Sequence, residues 1–288
     1  MSALNTDVIT TKTVYRTPLE FAPNALPPDQ YVDAFLKVQA ETVRSFQSGK
    51  PQLPAEVLEN QATARRYFGV WQMNHSFFAK MFPSYLMNVA AKCPYQDVRR
   101  EILKDCNDEE VSDPDANGLC HIEVLYHDAA LFGISREEVE AFEPTAILLT
   151  CIHAIDNLTR ILSWEGGYAA VGGLEAIRVA VARGYISREE FSGPWAGGAK
   201  TVEELCGLPK GSLMNAPLHQ AKDQIHGGGV LNILSKYATT REIQEMTFWA
   251  IKTARSTRMI TGAEQTRLAR QAIGLSSDAL LVTGCHGQ

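Results

Sequence analysis

The chain has 288 residues, 45% of them apolar, enough to bury a substantial core, and no uninterrupted apolar run of the roughly eighteen residues that a membrane span needs. Its formal net charge of -6 comes without charge blocks, so no basic face offers phosphate contacts and nucleic-acid binding is excluded as an expectation. Six cysteines without a C-x-x-C pair exclude a zinc framework and a disulfide-stapled scaffold, and they read as reduced thiols.

The first residues, MSALNTDVITTKTVYRTP, lack a charged stretch followed by an apolar one, so a cytoplasmic location is expected. Residues 1–25 are polar and aperiodic and read as an extended arm. Residues 26–275 read as one helical domain and 276–288 as a tail. From Pro27 onward, apolar residues recur at helical spacing (Tyr31, Phe35, Val38, then Val57, Tyr67, Val70, Trp71, Phe77, Phe78, Met81), which predicts two long helices with Pro54 in a first turn. Glu109 and Glu110 close an acidic helix that also holds Asp105 and Asp108. A polar loop, residues 112–118, follows, and His121 opens the next helix. Ser135, Ser187, Thr201 and Thr239 each precede a glutamate by three residues, the capping-box pattern of helix starts. No sustained period-two alternation of β-branched residues occurs, so the fold is expected to be all-α, a single helical bundle.

The chemistry-bearing pattern is His219, Asp223 and His226. Positions i, i+4 and i+7 of a helix share one face, so two imidazoles and a carboxylate point the same way. Leu218, Ile225, Val230, Leu231 and Ile233 make that helix partly apolar, which turns the face inward, where buried imidazoles and carboxylates need partners that a metal supplies. Upstream, the run from Trp164 to Leu174 is rich in small residues and ends in one carboxylate, Glu175, costly to bury unless paired or metal-bound. Taken with Glu110 and His121, the set is Glu110, His121, Glu175, His219, Asp223 and His226. It offers nitrogen and oxygen ligands with three negative charges against the four of two divalent irons, a donor set suited to iron or manganese. The triple glycine 227–229 makes the ligand helix either locally soft or closely packed. Glu123 and His127, at i and i+4, form a rival pair. Trp71, Phe77, Phe78, Trp164 and Tyr168 could line a pocket and Arg160 or Arg178 could meet a carboxylate, although packing and solvation are the commoner roles. His75 and His153 read as core histidines.

These positions resemble the haem-oxygenase-like di-iron oxidases and oxygenases, relatives in fold of the TenA and PqqC proteins, over roughly residues 30–270. In that family a carboxylate and a histidine share one core helix, a glutamate sits on another, and a His-x-x-x-Asp-x-x-His motif on a third. Here those places look like Glu110 with His121, Glu175, and His219, Asp223 and His226, and Leu131-Phe132-Gly133-Ile134 resembles the turn that ends the family's first ligand helix. The insertion between Glu110 and His121 departs from the pattern and leaves Glu109 as a substitute first ligand. The resemblance implies two iron ions cycling between Fe2+ and Fe3+, O2 as co-substrate, and a small amino-acid-like substrate in natural-product biosynthesis, with a homodimer left open. Two other readings stand beside it: a metal-free TenA-like hydrolase or cofactor-processing enzyme, and a helical binding or scaffold protein.

Overall fold

The structure, a computed structural model, describes residues 19–46, 53–192 and 198–276. Most of the expected arm (1–18) and tail (277–288) lies outside the described residues, as does Cys285. Among them the chain is helical, without strands: α1 Pro28–Ser45, α2 Ala55–Glu59, α3 Gln61–Lys92, α4 Gln96–Glu110, α5 His121–Leu131, α6 Arg136–Ala141, α7 Ala146–Ile161, α8 Trp164–Val171, α9 Ile177–Ala182, α10 Arg188–Ser192, α11 Gly198–Cys206, α12 Asn215–Tyr237 and α13 Arg241–Ala272. No described helix is long and apolar enough to cross a membrane.

Local sequence accounts for most helix starts. Pro28 occupies the first turn of α1. Asn60 interrupts the segment after α2 and caps α3 by accepting from Thr63 N–H, so the two long helices expected here are α1 and α3, with a short one between and Pro54 just before it. Full capping boxes form at Ser135 with Glu138 and at Ser187 with Glu190. The other two expected boxes do not form as written. Thr201 lies inside α11, and the cap of α13 is Thr240, one residue later than expected, accepting from Ile243 N–H.

The last helix, α13, runs through the centre, packed against α8, α3, α1 and α7, while α12 lies against α9, α1 and α8. Tyr31, Phe35, Tyr85, Leu86, Ile155, Tyr168, Val230 and Ile251 belong to the main apolar core, and Trp164 joins them, so Trp164 and Tyr168 are packing residues. The inner face of α13 is unusually polar for a central helix: Gln244, Thr247, Arg255, Thr257, Thr261, Glu264 and Gln265 are all buried. Gln244 is tied at both ends, accepting from Leu26 N–H and donating to the Leu26 and Ala238 carbonyls, and Ala22 N–H reaches the Thr239 carbonyl. Residues 19–27 therefore form a strap over the corner between α12 and α13.

Candidate metal centre

Four segments meet around one charged cluster. On α4 the buried stripe Val98, Ile102, Cys106 continues to Glu109, which is 5% exposed. Glu110 lies about 100° further round the helix and is exposed, so the carboxylate that faces the cluster is Glu109 and not the expected Glu110. His121, at the start of α5, is 2% exposed and stands between two carboxylates. Its Nε2 is hydrogen-bonded to Asp113 Oδ2 at 3.1 Å, and its Nδ1 lies 2.8 Å from Glu109 Oε1 without hydrogen-bonding geometry.

Glu175 does not sit in a continuous helix as expected. The chain leaves α8 through a 3-10 turn, Gly172–Leu174, and Glu175 follows that turn before α9. This break lets α12 come close, because Gly227 has no side chain: a Cβ there would lie 2.6 Å from Ala176 Cα and 2.8 Å from the Glu175 carbonyl carbon. His226, the residue before Gly227, thereby faces Glu175 with Nδ1 3.5 Å from Oε2 and no hydrogen bond, while its Nε2 points toward Asp105 and Asp108 at 3.7 and 3.8 Å. Two turns earlier His219 Nδ1 is hydrogen-bonded to Asp223 Oδ1 at 3.1 Å, and its ring meets the His121 ring edge-on with centroids 4.8 Å apart. Arg178 approaches the other Asp223 oxygen at 3.6 Å. Thus Glu109, His121, Glu175, His219, Asp223 and His226 come together, and Glu110 does not. Ile225, expected on the inward face, is 69% exposed, and the buried positions of α12 are Leu218 and then Gly227, Val230, Leu231, Ile233, Leu234 and Tyr237.

Lys222 completes the polar network. It sits on the same face as His219 and His226, and its ammonium lies 3.2 Å from Asp108, 2.9 Å from Asp113 and 2.8 Å from Asp115. Burial by itself would raise Asp113, yet bonds from Lys222, the Asp115 N–H and His121 hold it below the ordinary carboxylate value. Asp128, two turns further along α5 than His121, accepts from Met214 and Asn215 N–H at 2.9 Å each and so anchors the start of α12. Spacing pointed to none of these positioning residues, although Lys222, at i+3 from His219, was legible as a same-face residue.

The groups of the cluster shift one another's protonation. Burial alone would lower His219, but Asp223, with Glu109 and Glu175 beyond it, lifts it to about 9; His226 is lifted to about 9 by Glu175, Asp105 and Glu109 against the same burial. Burial pushes Glu175 upward and Asp105 to about 6. Carboxylates and imidazoles therefore share protons across the cluster. Among the described residues no three His, Cys, Asp or Glu side chains are arranged to hold a metal ion; they contact one another instead. The donor set nevertheless fits one, because the His121 and His226 Nδ1 atoms are buried, face carboxylate oxygens and lack hydrogen-bond partners. Asp113 on the far nitrogen of His121 is the carboxylate that a ligating imidazole ordinarily leans on.

The other expected candidates fall elsewhere. Glu123 and His127 are exposed, with His127 turned to Asp128 at 3.1 Å. His153 is exposed, not a core residue, and Arg160 pairs with Asp156 at the surface. His75 is enclosed, stacked on Trp71 and Phe78, and burial keeps it neutral. Phe77 and Phe78 line a pocket with Asn74, Leu148, Cys151, Ile152 and Thr261.

This helical arrangement recurs in solved structures. A domain of unknown function with a haem-oxygenase-like fold from Shewanella denitrificans superposes with a TM-score of 0.60 at 13% identity, over 88% of this chain and 96% of that one. The chain has the haem-oxygenase-like fold. Two more solved structures match. A TenA homolog from Pseudomonas syringae pv. tomato gives a TM-score of 0.54 at 12% identity over 86% and 99% of the two chains. A CADD-like protein of unknown function from Nostoc punctiforme gives 0.57 at 14% identity over 83% and 99%. At such identities the likeness establishes the fold. No protein-family model matches the chain, and no curated protein matches it.

Proposed function

We propose that this chain is a cytoplasmic, non-haem di-iron, O2-dependent oxidase or oxygenase that acts on a small amino-acid or amino-acid-derived substrate in natural-product biosynthesis. The observation that carries the reading is the pair of buried imidazole nitrogens, His121 Nδ1 and His226 Nδ1, that face Glu109 and Glu175 with no hydrogen bond of their own. Each is aimed at a carboxylate oxygen inside a buried cluster of acids and imidazoles, the nitrogen and oxygen donor set that two divalent irons take. The ligands would be Glu109, His121, Glu175, His219, Asp223 and His226, with charge -3 from the carboxylates. Two irons bound there would supply reductive activation of O2 for hydrogen abstraction or oxygen transfer.

What the chain's own residues do follows from their contacts. Asp113, fixed by Lys222, holds the His121 ring and its tautomer. Asp128 fixes the start of α12 and so the position of His219. Gly227 sets the distance between His226 and Glu175. Asp105, with its pKa raised by burial to about 6, takes up a proton beside His226 as pH falls to about 6. The metal-free hydrolase reading would need a cysteine nucleophile or substrate-binding histidines, and the described cysteines do not favour the first: all five are buried, and burial pushes Cys93 to about 11 and Cys206 to about 12, far from thiolate formation.

The test is anaerobic reconstitution with Fe(II), metal counting, and exposure to air with rapid absorbance measurement across a panel of amino acids. Two irons per chain and a transient band that one amino acid triggers are expected. Failure to retain iron in any stoichiometry would end the oxygenase reading.

A further inference from the structure

Among the described residues three arginines on α13, Arg255, Arg258 and Arg270, have no ion-pair partner, and the first two lie within one turn of each other. Arg255 is 5% exposed; its Nη2 donates to Gln39 Oε1 at 2.9 Å and to the Leu174 carbonyl, and its Nε has no partner. Arg258 lies over the Phe78 ring, 3.8 Å from its centroid, with Nη1 buried and unpaired. Among the described residues no carboxylate comes within ion-pairing distance of either, whereas Arg267 holds Glu264 and Arg160 holds Asp156. A guanidinium taken out of water without an anion is costly, and two such groups stand three residues apart on one helix face.

The surroundings are polar in the same unfinished way. Gln39 Nε2, Gln72 Nε2, Asn74 Oδ1, His75 Nδ1 and both amide atoms of Gln265 are buried without hydrogen-bond partners. Gln265 stands seven residues beyond Arg258, on the same face of α13. Gln72 and His75, at i and i+3, share a face of α3, which packs against α13. Arg258 also adjoins the pocket lined by Phe77, Phe78, Leu148 and Ile152: it stacks on Phe78, and Thr261, one turn further on, is part of the wall. At the other end, the bond from Arg255 to the Leu174 carbonyl puts that guanidinium one residue from Glu175.

We propose that Arg255 and Arg258 form the binding site for the substrate's carboxylate, with Gln39 beside it, and that the apolar body of the substrate lies toward Phe78 and Ile152. The substrate class is then an apolar-bodied monocarboxylate, held by side chains of α13 independently of the metal ligands. Two planar guanidinium forks suit the two oxygens of a carboxylate. The proposal rests on the oxygenase reading only for what happens to the bound molecule, and the anion site can be measured without iron.

The probes are linear carboxylates from butyrate to decanoate, their primary amides, and octyl phosphate, titrated calorimetrically into the metal-free protein. A carboxylate is expected to bind at least about tenfold more tightly than its amide, and R258Q to abolish the preference. R258K, which keeps the charge and loses the fork, is expected to retain part of it, and serves if R258Q does not fold. Equal binding of acid and amide, no binding of any acid, an R258Q or R258K protein with the full preference, or tighter binding of octyl phosphate would each overturn the proposal. Fe(II) titration of the same variants separates the two readings: wild-type iron uptake with lost carboxylate preference supports the anion site, and carboxylate preference in a chain that takes up no iron leaves the anion site standing while the oxygenase reading falls.

Discussion

Replacing Gly227 by alanine tests whether close approach of α12 to the 3-10 turn builds the site. In an open helix interior, glycine to alanine stabilises by about 1 kcal/mol, because alanine loses less backbone freedom on folding. Gly228 and Gly229 are open in this sense, since a Cβ at either meets nothing within 4 Å. At Gly227 the same Cβ lands 2.6 Å from Ala176 Cα, 2.7 Å from Ala176 N and 2.8 Å from the Glu175 carbonyl carbon. All three are backbone atoms, so no side chain can swing aside. Either α12 or the turn must withdraw by roughly 1 Å to restore ordinary contact, and overpacking of this kind costs about 1–3 kcal/mol. Urea unfolding of the metal-free protein should therefore place G227A about 1–3 kcal/mol below G228A, with G228A at or above wild type. Withdrawal also separates His226 from Glu175, so Fe(II) affinity of G227A should fall at least about tenfold. If G227A matches G228A in both stability and iron binding, the close approach does not set the site and the reasoning fails.

Other outcomes follow from the same contacts. Glu109→Gln should weaken Fe(II) binding at least about tenfold while Glu110→Gln leaves it unchanged, a comparison read directly by metal titration. His219 and His226 must lose protons to ligate, and carboxylate neighbours hold both to about 9, so metal affinity should rise from pH 6.5 to about 9 and level off above it, with proton release measurable by calorimetry in buffers of different ionisation enthalpy. The sign reverses for the metal-free fold: the raised histidines stabilise it fully below about 6.5, and that contribution is lost as pH rises through 9. Asp128→Ala leaves two helix-start N–H groups unmet and should cost about 1–3 kcal/mol by urea unfolding, with Asp128→Asn recovering part. Lys222→Met strands Asp113, which is fully buried, and should destabilise by about 2–3 kcal/mol at neutral pH and by less in acid, where Asp113 takes a proton.

The all-helical bundle was legible because apolar periodicity and capping residues are local signals, and they placed α1, α3, α5 and α12 well. Position around a helix axis is harder to read at an end, which is where Glu109 and Glu110 differ. The stripe Val98, Ile102, Cys106 would have selected Glu109 had it been extended by one more turn. The break before Glu175 escaped notice because glycine and alanine are silent about whether a helix continues or tightens into a 3-10 turn. Arg255 and Arg258 were invisible for another reason. The helix that carries them is rich in charge on every side, and only its burial between α3, α7 and α8 shows which charges face inward.

The strap at the start of the described chain has a practical side. Gln244 is completely enclosed and gives all its amide capacity to Leu26 and Ala238, while Tyr31, just inside α1, bonds Thr247 one turn along. A purification handle joined upstream of Leu19 leaves these contacts whole. Trimming the gene to begin at Pro27 would strip the amide of two of its three bonds, loosening the seam between the ligand-bearing helix and the central one, so expression boundaries for this protein belong before the strap.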